Sequence, residues 1–301
     1  MAEWNSFVGK SKNATFLFDR RYMDYHSDRF TDHSLVCRDD KGHIIALLPA
    51  NERDGVLYSH QGLTYGGLLM DGHTTLARCM EMFEAMQVYL HEQGFRKVVY
   101  KPVPSVYHQL PSDEDLFSIV NVCGAQLTRR MMSSVIDLTN RLPLRQNRRT
   151  ALNKAHQSNI IVRESDDYAS FWAILEENLR KTYGAHPVHT LEEMLRLKKD
   201  NPDSIRLLTG ELDGRVIGGI VLYETPTVVH TQYISATDEG KTLGVVDAIM
   251  EQLMSTSQKH YLDIGTSAGE GGELLNHSLL FQKEGFGGRG ICYDTYEWEV
   301  R

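Results

Sequence analysis

The sequence predicts an α/β (α+β) protein of two tandem domains, each with a mixed, mainly antiparallel sheet flanked by helices. The main observation is a pattern that occurs twice: three short apolar stretches separated by turns, then a glycine-bearing loop, a helix and one more strand. The turns of the two copies hold Gly42 and Gly214, about 170 residues apart. A repeat of that length indicates two similar domains rather than a solenoid. With 301 residues, each domain has enough chain for its own core.

The first half of the chain is expected to form short helices, a three-stranded meander, a long amphipathic helix and three further elements. In order, these lie at residues 4–30 (short helices), 35–60 (meander), 75–93 (long helix), 96–101 (strand), 113–122 (helix) and 131–138 (strand). Gly94 is a natural end for the long helix. We place the domain boundary near Asn140, which gives domains at residues 1–140 and 141–301.

The second half repeats this order after a strand and two helices of its own. Asp166 and Asp167 are expected to cap the first helix, and Thr190 with Glu193 forms the capping box of the second. The predicted elements are a strand at 160–163, a helix from 168, a helix through 199, a meander over 205–233, a helix at 245–254 and a strand at 259–264.

Composition favours a cytoplasmic enzyme. The net charge of -8 argues against a protein that coats nucleic acid, so no DNA partner is expected. The four cysteines show no C-x-x-C spacing, which is typical of small core residues in a reducing compartment. No signal peptide is expected from the first residues, and no apolar run approaches the roughly 20 residues that a membrane span needs.

Residues 138–163 contain no acidic residue but six basic ones. This segment is either a solvated linker helix or a binding surface for phosphates. The six are Arg141, Arg145, Arg148, Arg149, Lys154 and Arg163.

Two segments resemble those of a known family. Residues 147–155 look like the basic lead-in to the second domain, and residues 281–287 (FQKEGFG) look like an F-K-x-x-F-G signature with Gln282 in place of its first aromatic residue. Together with the order of elements, they resemble the GNAT N-acyltransferase superfamily, in its tandem-domain, Fem-like branch of peptidoglycan-bridge aminoacyltransferases. The chain is similar to compact members, because it has no room for the helical arm associated with tRNA-dependent enzymes.

The resemblance implies an N-acyltransferase that uses an acetyl-CoA-type thioester to modify an amino group of a cell-envelope or polysaccharide precursor. The expected acceptor is a small molecule such as a nucleotide-linked amino sugar. We expect neither a tRNA partner nor a metal. The alternatives are a Fem-type aminoacyltransferase that uses aminoacyl-tRNA, and a non-catalytic relative that only binds a ligand.

The same resemblance implies that the donor's phosphates lie at the loop that opens the helix at 245–254. The candidate cofactor-binding residues there are Gly240, Lys241, Thr242 and Gly244, although the usual Q/R-x-x-G-x-G/A pattern is missing. The loop could equally be a simple turn with a helix cap. A P-loop is excluded because Ser235 stands where its first glycine would be. In the first domain, residues 59–67 occupy the corresponding place, and we interpret them as a degenerate donor site that shapes the acceptor cleft.

Three residues are the candidate catalytic groups. His230 is expected to share a strand face with Gln232, opposite Tyr233, and to accept the amine proton. Asp263 ends the next strand, where carboxylates often face a cleft. Lys283 matches the lysine of the family signature, and the resemblance implies that its ammonium pairs with a donor phosphate or stabilises an oxyanion.

The candidate substrate-binding residues lie in three parts of the sequence: residues 180–186, position 232 and residues 276–284. A glycine-rich loop at 265–276 is long enough to be a mobile substrate loop. The flanking aromatic residues Phe281 and Phe286 are expected to pack inward and aim Lys283. The full set is Arg180, Tyr183, His186, Gln232, Asn276 and Glu284.

Overall fold

The computed structural model describes residues 1–268 and 275–301. The chain forms two compact units: unit 1 is residues 1–132 with 292–301, and unit 2 is residues 133–291. The last ten residues thus return to unit 1. The domain ranges 1–140 and 141–301 stay a prediction.

Unit 1 combines helices with short strands. The helices are α1 (Ala2–Val8), α2 (Arg20–Met23), α3 (Leu76–Glu92) and α4 (Glu114–Asn121). The strands are β1 (Thr31–Asp32), β2 (Leu35–Arg38), β3 (Ile44–Leu48), β4 (Asn51–Arg53), β5 (Val56–Tyr58), β6 (Leu69–Met70) and β7 (Lys97–Tyr100). Strand β8 (Gln126–Asp137) begins in unit 1 and ends in unit 2.

The strands of unit 1 belong to two sheets. Strands β1, β4, β5 and β7 are neighbours in that order, and β5 with β7 is the parallel pair. Strands β2, β3 and β6 form a separate antiparallel sheet. The predicted three-stranded meander over 35–60 is therefore wrong between its second and third strands, because β3 lies in one sheet and β5, after the additional strand β4, lies in the other. Pro49 lies between them, and a residue without an N–H interrupts a ladder of hydrogen bonds.

Unit 2 contains most of the regular structure of the second half. Its helices are α5 (Gln146–Gln157), α6 (Tyr168–Tyr183), α7 (Leu191–Asp200), α8 (Asp238–Leu243), α9 (Val245–Thr256) and α10 (His277–Gly285). Its strands are β9 (Ile161–Glu164), β10 (Ile205–Leu212), β11 (Arg215–Glu224), β12 (Val228–Ala236) and β13 (Tyr261–Thr266). Strand β14 (Arg289–Glu299) leads back into unit 1, where it pairs with β7.

The sheet of unit 2 has the strand order β9-β10-β11-β12-β13-β8. Neighbours are antiparallel except β12 and β13, which run parallel. The predicted α/β class, with mixed sheets that are mainly antiparallel and flanked by helices, is confirmed. The predicted capping box at the start of α7 is also present: Thr190 and Glu193 bond each other's backbone N–H groups.

A bulge in β12 changes which side chains of this strand share a face of the unit 2 sheet, compared with the simple alternation that the sequence predicts. Val221 is opposite Tyr233 and Leu222 is opposite Thr231, so Gln232 is an extra residue in β12. His230 is opposite Tyr223, two residues from Val221, and therefore lies on the same face as Tyr233. The prediction that Tyr233 faces away from His230 is wrong, because the extra residue shifts the alternation.

Helices cover both faces of this sheet. Val245 and Ile249 of α9 pack with Val229 and Leu222 in one buried cluster. On the other face Phe171 of α6 lies so close to β11 that a Cβ on Gly219 would be 2.7 Å from its ring. Among the described residues, no helix is long and apolar enough to cross a membrane.

Gly244 joins α8 to α9 and can be tested against a glycine of similar backbone conformation. Gly244 has φ +77°, and a Cβ there would lie 2.3 Å from the carbonyl oxygen of Ala151; Gly214 has φ +75° and open space around it. We expect Gly214→Ala to lower the free energy of unfolding by about 1 kcal/mol, from backbone strain alone. Gly244→Ala should cost about 3 kcal/mol, because α5 must also shift. Urea denaturation followed by circular dichroism measures both, and equal losses would contradict the close packing.

Candidate functional site

The three predicted catalytic residues lie together at the carboxyl end of β13. Asp263 is fully buried, and its Oδ1 accepts hydrogen bonds from the Ser133 hydroxyl at 2.5 Å and from the Gly265 N–H at 2.8 Å. Ser133 belongs to β8, the antiparallel neighbour of β13. A buried carboxylate needs such donors because it has lost the hydrogen bonds of water. Asp263 is therefore a fixed negative charge inside unit 2.

His230 reaches the same carboxylate from β12. The parallel pairing of β12 with β13 ends at the pair His230 and Asp263, which brings the two side chains side by side. The His230 Nδ1 lies 3.3 Å from the Asp263 Oδ2. Its side chain is 17% exposed, and Nδ1 has no hydrogen-bond partner among the described residues. The ring thus has one nitrogen beside a carboxylate and an edge that solvent reaches.

Lys283 completes the group from α10. Its ammonium is buried and donates to the carbonyl oxygens of Gly265 at 2.9 Å and Thr266 at 2.7 Å. Burial lowers the pKa of Lys283 to about 8, while the negative charge of Asp263 acts in the opposite direction. A Cβ placed on Gly265 would lie 3.5 Å from the His230 ring and 4.0 Å from the Lys283 Nζ. The imidazole and the ammonium therefore flank Gly265.

This group of His230, Asp263 and Lys283 combines a base, a fixed carboxylate and a cation. An imidazole beside a carboxylate can accept a proton near neutral pH. An ammonium has three donors, and two of them are used by Gly265 and Thr266. No third acceptor for this ammonium occurs among the described residues. Such a set can serve proton removal and charge stabilisation at one reacting centre.

Two arginines at the start of α5, its N-cap Arg145 and Arg148, hold α10 in place. The Arg145 guanidinium lies 4.6 Å from the centre of the Phe281 ring and pairs with Glu284 at 3.0 Å. Phe281 is 54% exposed, so the expectation that it packs inward is wrong; the arginine covers its ring instead. Phe286 is buried as expected, with Arg148 over its ring. Glu284, a candidate substrate residue, thus has an ion-pair partner inside unit 2.

The basic segment is largely occupied by internal contacts. Arg148 pairs with the buried Asp247 at 3.1 Å, and Arg163 pairs with Glu211 at 2.8 Å. Burial raises the pKa of Asp247, and Arg148 opposes that shift. Arg141 donates to the carbonyl oxygen of Met254. The segment therefore serves to attach α5 to the rest of unit 2, rather than presenting a continuous row of free cations.

The candidate donor loop forms the short helix α8, and its glycines are packed against protein backbone. A Cβ on Gly240 would lie 2.2 Å from the carbonyl oxygen of Ile217, as one on Gly244 would meet Ala151. The Thr237 hydroxyl already accepts the Gly240 N–H at 3.0 Å. These glycines have a packing reason that needs no ligand.

The side chains of the same loop are also engaged. The Lys241 ammonium donates to Asn178 at 2.8 Å and to Asp238 at 3.2 Å, and the Thr242 hydroxyl donates to the carbonyl oxygen of Asp238. Asp238 and Glu239 occupy the first turn of α8, where their charges repel an anion. The predicted phosphate-binding set of Gly240, Lys241, Thr242 and Gly244 therefore does not fit a pyrophosphate.

The candidate substrate residues are not all brought together. Arg180 lies in the last turn of α6 and His186 in the exposed segment after it. No hydrogen bond or ion pair within residues 1–268 and 275–301 joins either of them to the catalytic group. The Tyr183 side chain lies outside the described residues, as does the middle of the predicted loop at 265–276.

Asn276 and Gln232 lie on the elements that carry Lys283 and His230. Asn276 caps α10, because its side chain accepts the Leu279 N–H at 2.9 Å. It thereby fixes the start of the helix that carries Lys283. Gln232 is the bulge residue of β12, two positions after His230.

The sequence analysis did not predict a buried contact between His189 and Tyr233. The His189 Nδ1 lies 2.5 Å from the Tyr233 hydroxyl, and the Trp172 ring packs edge-on against Tyr233. Burial raises the pKa of Tyr233 to about 12. Tyr233 shares the sheet face of His230, so the pair extends the polar surface along β12. The position of His189 directly before the Thr190 cap could have been noticed, but the bulge that turns Tyr233 toward it leaves no sequence signal.

The corresponding loop in unit 1 is closed on itself. A Cβ on Gly66 would lie 2.0 Å from the carbonyl oxygen of Ser59. Lys101 donates to the carbonyl oxygen of Leu63 at 2.6 Å, and burial lowers its pKa to about 8. That this loop is a degenerate donor site stays a prediction. Among the described residues of the chain, no cluster of His, Cys, Asp and Glu could hold a metal ion.

Comparisons with known proteins identify the class of this fold. Residues 141–266 match the family model described as an acetyltransferase (GNAT) domain. The crystal structure of FemX is similar with a TM-score of 0.72 at 9% identity, covering 99% of this chain and 96% of that one. L-PGS from Bacillus licheniformis gives 0.63 at 10% identity, with coverage of 100% and 92%.

A tandem GNAT protein from the clavulanic acid biosynthesis pathway is similar with a TM-score of 0.50 at 11% identity, covering 89% of this chain and 82% of that one. No curated protein sequence matches the chain. The family model confirms the predicted GNAT resemblance over residues 141–266, and the structural matches show that the chain shares its fold with FemX and with a tandem GNAT protein.

The buried contacts of Asp263 can be tested by a double-mutant cycle. Asp263→Ala removes the acceptor of Ser133 and Gly265 and leaves the Lys283 ammonium without its opposing charge, so we expect a loss of about 3 kcal/mol in the free energy of unfolding. Adding Lys283→Met should restore part of that loss, because the cation is no longer buried alone. Denaturant unfolding of the four proteins measures the coupling. Strictly additive losses would contradict an interaction between the two charges.

Proposed function

We propose, starting from the GNAT acetyltransferase domain at residues 141–266, that this protein transfers an acyl group to an amine of a cell-envelope or polysaccharide precursor. The chain is an acyltransferase of the GNAT and Fem class. The finer proposal is that the acceptor is a nucleotide-linked amino sugar, that the donor is an acyl thioester of the acetyl-CoA type, and that the reaction takes place in the cytoplasm.

The observation that carries the proposal is the meeting of His230, Asp263 and Lys283 at the end of β13. An amine must lose a proton as its nitrogen bonds to the acyl carbon. With Nδ1 lying 3.3 Å from the Asp263 carboxylate, the His230 ring offers Nε2 as the base for that proton. The carboxylate stabilises the imidazolium that results, as its distance of 3.3 Å allows.

Lys283 supplies the electrostatic half of the chemistry. When the amine adds to the acyl carbon, negative charge develops on the carbonyl oxygen. When this adduct collapses, the bond from the acyl carbon to the donor's sulfur breaks, and the proton taken up by His230 passes to the leaving thiolate. Two carbonyl groups fix the Lys283 ammonium, so its remaining N–H can donate to that oxygen without reorganisation. Since its pKa is about 8, the group is mostly protonated at neutral pH and suited to this role.

An acyl-CoA donor requires a site for its phosphates. The GNAT class favours an acyl-CoA. The loop before α9 that should receive its phosphates forms α8 instead, whose first turn carries Asp238 and Glu239. The Lys241 ammonium there is already bonded to Asn178 and Asp238. We therefore assign no role in phosphate binding to Lys241, and none of the steps above depends on how the donor is held.

That same observation favours a second candidate, a Fem-type aminoacyltransferase. Its donor carbonyl belongs to an aminoacyl ester of tRNA, which needs no pyrophosphate site at α8. Proton removal by His230 and charge stabilisation by Lys283 would serve an ester as well as a thioester.

Donor binding separates the two candidates. Isothermal titration of the protein with acetyl-CoA should show saturable binding at micromolar concentration if the donor is a thioester. Absence of heat at millimolar acetyl-CoA, together with a salt-sensitive affinity for aminoacyl-tRNA, would replace the first candidate with the second. Binding of neither donor would support the non-catalytic alternative.

Lys283→Met tests the catalytic assignment independently of the donor. The substitution keeps much of the stem and removes the charge, so we expect turnover to fall by about 10²–10³ with the fold retained. Lys198→Met, on α7, is the matched control and should leave turnover unchanged. If Lys283→Met is folded by circular dichroism and keeps most of its turnover, Lys283 has only a structural role.

A further inference from the structure

Unit 1 has its own parallel pair of strands, and a lysine follows the end of that pair. The pairing of β5 with β7 ends at Tyr58 and Val99, and Lys101 lies two residues beyond Val99. In unit 2 the pairing of β12 with β13 ends beside the candidate catalytic group, to which Lys283 supplies an ammonium. Each unit therefore has a lysine at the carboxyl end of its parallel pair, although the surroundings of the two lysines differ.

The loop at residues 59–66 closes around Lys101, and we call it the Lys101 loop. The Ser59 hydroxyl accepts the Lys101 N–H at 2.7 Å, and the Gly66 N–H donates to the Lys101 carbonyl oxygen at 2.8 Å. The Lys101 ammonium donates to the carbonyl oxygen of Leu63 at 2.6 Å. Both ends and the middle of the loop are thus bonded to one residue, so the ammonium is held in position before any ligand arrives.

The Lys101 loop keeps a strained backbone at His60. This residue has φ +61°, in the left-handed region that L-residues rarely adopt, and its buried ring packs edge-on against Phe30. Asn51 fixes the next residue twice, through the side chain of Gln61 at 2.9 Å and through its N–H at 2.7 Å. Strain that the surrounding bonds maintain in this way is common at ligand sites.

The charge of Lys101 has no counter-ion among the described residues. Its ammonium has three donors, and the carbonyl oxygen of Leu63 is the one acceptor for them in the part of the chain that the structure describes. Burial lowers the pKa of Lys101 to about 8, so the group is mostly protonated at neutral pH. Burial and this nearby charge lower the pKa of His60 to about 4, so the imidazole is neutral there. One positive charge and two N–H groups therefore remain for a ligand.

Other charges near the loop do not neutralise Lys101. Asp32 and Arg20 also act on the pKa of His60, but they form an ion pair with each other at 3.0 Å. In unit 2, by contrast, the buried Asp263 opposes the charge of Lys283. A cation with reduced access to water and without an opposing carboxylate is unfavourable unless an anion binds to it.

We infer that Lys101 and the Lys101 loop bind the carboxylate group of a small-molecule ligand. A carboxylate carries one negative charge, which the ammonium neutralises, and its two oxygens can accept the two unused N–H groups. A phosphate monoester carries about two negative charges at neutral pH and would leave one of them uncompensated. Lys101 is half-buried and Thr64 of the loop is exposed, so a ligand can reach the ammonium from solvent.

An NMR titration of the whole protein, labelled at the lysine side chains, tests this assignment with acetate as the probe and ionic strength held constant. The Lys101 resonance should shift saturably, with half-saturation at about 10 mM, as befits so small a ligand. Acetamide, the neutral analogue, should not shift it, and inorganic phosphate should bind at least about threefold more weakly. Affinity for acetate should be about tenfold lower at about pH 9 than at neutral pH, because Lys101 then loses most of its charge.

Lys101→Met assigns the resonance, and the exposed Lys41 provides the control resonance. If Lys101→Met does not fold, Lys283→Met identifies the second lysine whose pKa is about 8, and the remaining resonance of that kind belongs to Lys101. A Lys101 resonance that does not move with acetate, or moves no more than that of Lys41, would overturn the inference. So would an equal response to acetamide or phosphate, or an affinity for acetate that is unchanged between the two pH values.

Discussion

The buried carboxylate of Asp263 organises the candidate site, because every polar group around it depends on that one charge. Without water, the carboxylate requires the Ser133 hydroxyl and the Gly265 N–H as donors, and it sets an electrostatic field for His230 and Lys283. Removing it would leave those donors buried and unpaired, at a cost of a few kcal/mol. The same charge thus stabilises unit 2 and prepares its chemistry.

The sheet topology explains why these groups meet. Strands β12 and β13 are the parallel pair in an otherwise antiparallel sheet, and their pairing ends at His230 and Asp263. Beyond that pair β12 carries a bulge at Gln232, while β13 continues to the carbonyl groups that hold Lys283. An end of pairing beside a bulge opens space between strands without exposing the core. The candidate group of His230, Asp263 and Lys283 lies at that opening, and α10, held by Arg145 and Arg148, carries the lysine to it.

Sequence reasoning predicted most of the elements and named three residues that the structure brings together at the end of β13, because those signals are local. A lysine in a short motif, a carboxylate at a strand end and a histidine in a strand can each be recognised from neighbours along the chain. It could not detect contacts that a residue makes with a distant partner. Gly240 and Gly244 read as a phosphate loop, but Ile217 and Ala151 explain them; Glu284 read as a substrate contact, but Arg145 pairs with it. The bulge at Gln232, which turns Tyr233 toward His189, is set by register against β11 and has no local signature.

The most direct test of the central claim is an NMR titration of the Lys283 side chain in protein labelled at the lysine side chains, with Lys283→Met used for assignment. The pKa of Lys283 should lie at about 8, well below the roughly 10.4 of exposed lysines. In Asp263→Asn it should fall further, because the carboxylate raises the pKa against the effect of burial. A Lys283 that titrates with the exposed lysines, or whose pKa is unchanged in Asp263→Asn, would contradict a site organised by Asp263.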